Sequence, residues 1–236
     1  MPLHDLLESR IRSLGLDTPV RVRVSLRARF LSLRLDPTAR AVELVMPRRA
    51  PADAGLRFVA EHRGWIAARV AALPLPVRLV EGALIPVMGV PHRIRREFDT
   101  KAPTVAISGG EIRVRGDPAH LPRRVRDHLR ALARRELGSR AGAVADRVGK
   151  AVTRVGIRDP KSRWGSCSSK GALSFSWRLI FAPETVIDYV VAHEVAHLVE
   201  MNHGPRFWRL VASLVPDAAA ARAWLRRHRA ELLAYS

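Results

Sequence analysis

His193, Glu194 and His197 stand in the run His193-Glu194-Val195-Ala196-His197, and His203 follows six residues later. Two histidines four apart on a helix point the same way, because a turn holds about 3.6 residues. Their imidazoles can share one zinc ion. Glu194 is displaced by about 100° around the same helix. It can flank the metal without ligating it, where a general base for a water on that metal would stand. His203 is the candidate third ligand. Three protein ligands and one open position make a catalytic zinc site rather than a closed structural one.

The segment from Glu184 to Glu200 is apolar, lacks Gly and follows Pro183. Pro suits the first turn of a helix, and Glu184 suits its positive N-terminus. Ile187, Val191, Val195 and Leu198 form a stripe expected to face a core, with the histidines on another face. The outer spacing of His193, His197 and His203 matches His-Glu-x-x-His-x-x-Gly-x-x-His, but Glu200 holds the Gly position. The helix is therefore expected to run to about Asn202 and to leave through Asn202 and Gly204, residues that tolerate positive φ. Glu200 is the rival carboxylate ligand. The preferred reading makes it an acid that orients a ligating imidazole.

The block Asp159-Pro-Lys-Ser-Arg-Trp-Gly-Ser-Cys-Ser-Ser-Lys170 precedes Leu173-Ser-Phe-Ser-Trp-Arg-Leu-Ile180, Ala182-Pro183 and Asp188-Tyr-Val-Val. The zinc run follows, then Asn202-His-Gly-Pro-Arg-Phe-Trp208. Together these resemble the YgjP-like metallohydrolase family, which is related to SprT-like and other zincin-type peptidases. The match is near-continuous from about Arg158 to Trp208 and weaker over the rest. It departs at Ser176, where Asn is expected before Trp, and at Gly204, where Ser is more usual. The resemblance implies a zincin-like catalytic domain with one zinc. It implies His193, His197 and His203 as ligands and Glu194 as acid/base. It carries two substrate classes, peptides and nucleotide phosphoanhydrides.

Elements must position these groups. Val20 to Ser25, Phe30 to Leu35 and Ala41 to Met46 alternate as strands, with a turn at Asp36-Pro37. Ala54 to Leu73 reads as one helix. Strands follow near Leu84 to Arg96, Thr104 to Ser108 and Glu111 to Arg115, the last two joined by the hairpin signal Gly109-Gly110. Leu121 to Val148 reads as a long Arg/Ala-rich helix. Val152 to Arg158 and Ala172 to Ile180 read as strands, and two helices broken near Pro216 close the chain. The class is α+β. A β-rich N-terminal region with one helix (1–117) precedes a zincin-like metallohydrolase domain (118–236).

The strand at 172–180 is expected to be the sheet edge that pairs with an extended substrate. The loop Ser162 to Gly171 either binds an anion through backbone amides with Arg163 or Lys170, or braces the zinc helix through Trp164. Arg178, Arg163 and Tyr189 are the candidate donors to a developing oxyanion.

Composition bounds the rest. The 236 residues carry a net charge of +19, yet only four of the 41 basic residues are Lys. The arginines are dispersed and lack interleaved aromatics, which argues against a dedicated nucleic-acid domain, although nonspecific polyanion affinity follows from the charge. No apolar run is long enough to span a membrane, and the N-terminus lacks an apolar signal segment. The single cysteine, Cys167, excludes an intrachain disulfide and fits a cytoplasmic protein. It reads as a small packed residue. The expected function is a zinc metallopeptidase acting on peptide or protein. The alternatives are a zinc nucleotide pyrophosphatase and a noncatalytic zinc-containing nucleic-acid binder.

Overall fold

Alternating valines and arginines in one stretch, and a near-continuous apolar run in another, build the first sheet. In the computed structural model, which describes residues 3–99, 101 and 103–235, the strands are β1 (Val20–Ser25), β2 (Ser32–Asp36) and β3 (Ala41–Pro47). Their order is β1-β3-β2, with β3 parallel to β1 and antiparallel to β2. The central strand is covered on both faces, which is why Ala41, Val42, Leu44, Val45 and Met46 are all buried. Three helices share this unit: α1 (Leu3–Arg12), α2 (Ala52–Glu61) and α3 (Arg63–Ala71). The sequence reading held one helix here. The expected single helix at 54–73 breaks at His62 (φ −99°, ψ 15°), whose Nδ1 lies 2.8 Å from the Phe58 carbonyl oxygen. Leu7 and Ile11 of α1 join Val42, Leu44, Met46, Val59 and Ile66 in one core.

By internal contacts the chain divides into two compact units, Met1–Leu75 and Pro76–Ser236. The second holds every candidate site residue. It starts with a four-stranded sheet in the order β4-β5-β7-β6, from β4 (Leu84–Val87), β5 (Val90–Glu97), β6 (Val105–Ser108) and β7 (Glu111–Arg115). The single strand expected at 84–96 is a hairpin. Met88 and Gly89 turn it with φ of 49° and 82°. Gly109 and Gly110 turn the second hairpin, as their dipeptide predicts. Helix α4 (Leu121–Arg147) buries Leu121, Val125, Leu129, Ala133, Leu137, Ala141 and Ala145, a stripe of one residue in four. That stripe joins the same core as the sheet behind the site.

A three-stranded sheet follows, from β8 (Arg154–Arg158), β9 (Gly165–Cys167) and β10 (Ala172–Ser176). Its order is β8-β10-β9. The expected edge strand is therefore wrong: β10 is central, parallel to β8 and antiparallel to β9. It also ends at Ser176, and Trp177–Phe181 form a 3-10 turn. Consecutive buried residues from Phe175 to Ala182 explain this, because a strand with one wet face would have to alternate. The segment read as a loop supplies the edge, β9. Helices α5 (Glu184–Ala196), α6 (Pro205–Leu214), α7 (Ala218–Arg227) and α8 (Arg229–Ala234) complete the unit. The C-terminal pair expected is a trio, with a second break at His228. The class is mixed α+β. No helix among the described residues is long and apolar enough to cross a membrane.

Candidate metal centre

Helix α5 positions the site because it is buried on nearly all sides. Val186, Ile187, Val190, Val191, Val195 and Ala196 are each 3% exposed or less. Its N-terminus is tied to α4. Arg140 reaches Asp188 Oδ1 at 2.5 Å and Glu184 Oε2 at 2.7 Å. Gly89 packs on Pro183 so closely that a Cβ there would lie 2.9 Å from the Pro183 Cα.

The helix ends at Ala196, about a turn and a half before the expected Asn202. The amides of Leu198, Val199 and Glu200 close short turns onto Val195 and Ala196. Neither Asn202 nor Gly204 takes a positive φ; Gly204 is extended (φ −79°, ψ −178°). Pro205 then starts α6 at a position where its missing N–H costs nothing. The early exit folds residues 200–204 back over α5 and brings His203 to His193.

The three imidazoles converge. One nitrogen from each of His193, His197 and His203 lies within 4.8 Å of the others. Nε2 of His203 is 3.1 Å from Nε2 of His193. Zinc bonds of about 2.0–2.1 Å in a tetrahedron place ligand nitrogens about 3.3 Å apart, so the donor set fits such a cation. Nδ1 of His197 faces the Glu200 carbonyl oxygen at 3.2 Å, which turns its Nε2 inward. Glu200 thus orients an imidazole through its backbone and not, as expected, through its carboxylate. Nδ1 of His193 has no hydrogen-bond partner among the described residues. Packing holds that ring instead, against Tyr189, Phe207 and Trp208 at centroid distances of 5.9, 4.9 and 5.8 Å. Burial, reinforced by the neighbouring His197 and His203, pulls the His193 pKa down to about 4. Burial also lowers that of His197. Both rings are therefore neutral at ordinary pH, the form that donates to a metal.

Phe207 was missed in the sequence reading as a site residue. It is fully buried on α6 and lies within 4.9 Å of all three imidazole centroids. The signal was its place four residues after His203, in the first turn of a helix started by Pro205.

Glu194 is 6% exposed, and burial pushes its pKa up to about 7 against the opposing pull of Arg163. It faces Gly165 of β9. Together with His193 and Tyr189 it lines a cleft of about 450 Å³, walled by Trp164 and by Arg163, Arg222, Arg226 and Arg229. Burial raises the Tyr189 pKa, so its hydroxyl keeps its proton and can donate. Arg163 is exposed at the rim. Arg178 is elsewhere: buried, paired with Asp159, and donating to the Tyr235 carbonyl oxygen at 3.3 Å. It braces the turn after β10 and is absent from the cleft lining.

Of the two roles open to the loop Ser162 to Gly171, anion binding and bracing, its amides favour the second, since they are used internally. Ser168 and Gly171 N–H donate within the β9–β10 turn, and Trp164 gives its carbonyl to the Ser176 amide. Cys167 is partly buried, packed against the core, and burial raises its thiol pKa.

A mixed α+β unit that gathers three imidazoles, one of which shares a cleft with a buried carboxylate, has the parts of a metallohydrolase. Residues 31–228 match the family model described as YgjP-like, metallopeptidase domain, and the chain belongs to that family. Among solved structures, the metallopeptidase zymogen of Pyrococcus abyssi abylysin is 25% identical, with a TM-score of 0.35 over 41% of this chain and 94% of that one. No curated protein matches the chain.

Proposed function

We propose that the protein is a zinc-dependent peptidase, with His193, His197 and His203 as the metal ligands and Glu194 as the general base. The convergence of three imidazole nitrogens beside a buried carboxylate carries this reading. A bound Zn2+ would supply a Lewis acid that polarises the scissile carbonyl and acidifies water. Glu194 accepts the proton of the attacking water at a carboxylate oxygen and hands it to the departing amine. Tyr189, protonated and beside His193, is the candidate donor to the oxyanion. β9 has a free edge at the cleft, where an extended backbone adds as a further strand. Gly165 keeps that strand close to Glu194.

The test pairs two substrates. Zinc-loaded wild type and Glu194→Gln are incubated separately with an unfolded protein and with nucleoside triphosphates. New peptide termini formed by the wild type alone are expected, with the nucleotides intact. Nucleotide hydrolysis that Glu194→Gln abolishes, without peptide cleavage, contradicts the peptidase reading.

A further inference from the structure

β9 lies between two clefts, and arginine lines both. The inner one, beside His193 and Glu194, presents Arg163, Arg222 and Arg226. Arg222 and Arg226 are four apart on α7 and so share a face. Arg222 lies over the Trp208 ring at 4.8 Å, which orients it. The outer cleft, about 510 Å³, crosses the other face of the β8-β10-β9 sheet and presents Arg134, Arg154, Arg158 and again Arg163. Among the described residues, Glu194 is the one acid lining either cleft. Arg134, Arg154, Arg158, Arg222 and Arg226 form no ion pair with a carboxylate among the described residues, whereas Arg140 on α4 is neutralised by Glu184 and Asp188.

An extended chain on the free edge of β9 sends successive side chains to opposite faces. Trp164 and Gly165 line the inner cleft, Ser166, Cys167 and Ser168 line the outer one, and Arg163 lines both, so such a chain passes from one cleft to the other along β9. Side chains along such a chain therefore meet guanidinium groups in both clefts. Carboxylates satisfy them with charge-assisted, often bidentate hydrogen bonds, and ammonium groups are repelled.

We infer that the site selects acidic peptide segments, with aspartate or glutamate at successive positions of an extended backbone laid along β9. This rests on the peptidase reading above. The arginine walls of the two clefts set specificity, while Glu194 and the histidines set the chemistry.

The test uses zinc-loaded, full-length Glu194→Gln at physiological ionic strength, where diffuse attraction is screened. Labelled peptides of equal length, one Glu-rich and one with Gln in place of each Glu, are titrated by fluorescence anisotropy. The Glu peptide is expected to bind about tenfold tighter or more. Adding Arg222→Glu and Arg226→Glu removes that preference. Adding Arg48→Glu and Arg49→Glu instead, which changes net charge equally at exposed positions of the first unit, retains it. Equal binding of the two peptides, or equal losses in the two reversals, overturns the inference. So does tighter binding of an oligonucleotide of matched charge with the same dependence on Arg222 and Arg226. Selective binding of the Glu peptide with no Glu194-dependent cleavage by the wild type unseats the peptidase reading and leaves the acidic selectivity standing.

Discussion

Gly165 on β9 lies against Glu194 on α5 so closely that a Cβ at 165 would fall 2.5 Å from Glu194 Cγ and 2.6 Å from Oε1. The helix carboxylate and the strand edge are set at their mutual distance by the absence of a side chain. Gly165→Ala must push Glu194 aside or move β9. Metal content should stay at the wild-type level, because no imidazole is touched. Turnover should fall about tenfold or more, since a misplacement of about 1 Å is costly in catalysis. Unchanged turnover by Gly165→Ala would mean that Glu194 has no positional role.

His203 and Glu200 compete as the third ligand. Glu200 contributes its carbonyl oxygen to His197, and Glu200→Ala keeps that oxygen. Zinc affinity, measured by competition with a chelator, should be nearly unchanged in Glu200→Ala and should drop about 10²-fold or more in His203→Ala, as a ligand deletion exceeds the effect of losing an outer partner. The reverse order would assign the third ligand to the carboxylate.

Phe207 is the shared wall of the three imidazoles. Phe207→Ala should cost about 3–5 kcal/mol in urea unfolding of the metal-free protein, as for a buried aromatic truncated to Ala. Zinc affinity should fall as well, because the rings lose the surface that fixes their directions. Phe207→Leu, which fills much of the space, should recover most of both. A stability loss with unchanged zinc affinity would limit Phe207 to core filling.

Arg178 separates support from chemistry. Burial draws its pKa down to about 10, so it remains charged at neutral pH beside Asp159. Arg178→Met should lower unfolding stability by about 1–3 kcal/mol, since Asp159 is half exposed and water replaces its partner. kcat per folded molecule should hold. A selective fall in kcat at full stability would return Arg178 to the list of oxyanion donors.

The sequence spelled out the histidine-bearing helix because its pattern is local: residues four apart on α5 share a face without any tertiary information. The Gly109-Gly110 hairpin and the span of α4 were legible for the same reason. The position of β10 within its sheet was not, since an alternating or apolar run does not reveal which neighbours it pairs with. The early end of α5 was hidden too, because it depends on the His197–Glu200 contact and on Pro205 starting the next helix. Arg222 and Arg226 are two of many dispersed arginines in the sequence, and only the packing of α7 against α5 brings them to the cleft wall.

Metal content and turnover measured together in Glu194→Gln test the central claim most directly. The substitution keeps the side-chain volume and leaves all three imidazoles in place. One zinc per chain should remain, and peptide hydrolysis should fall about 10²-fold or more, the usual contribution of a general base. Loss of zinc from Glu194→Gln, with residual hydrolysis tracking the remaining metal, would make Glu194 a ligand and contradict the account.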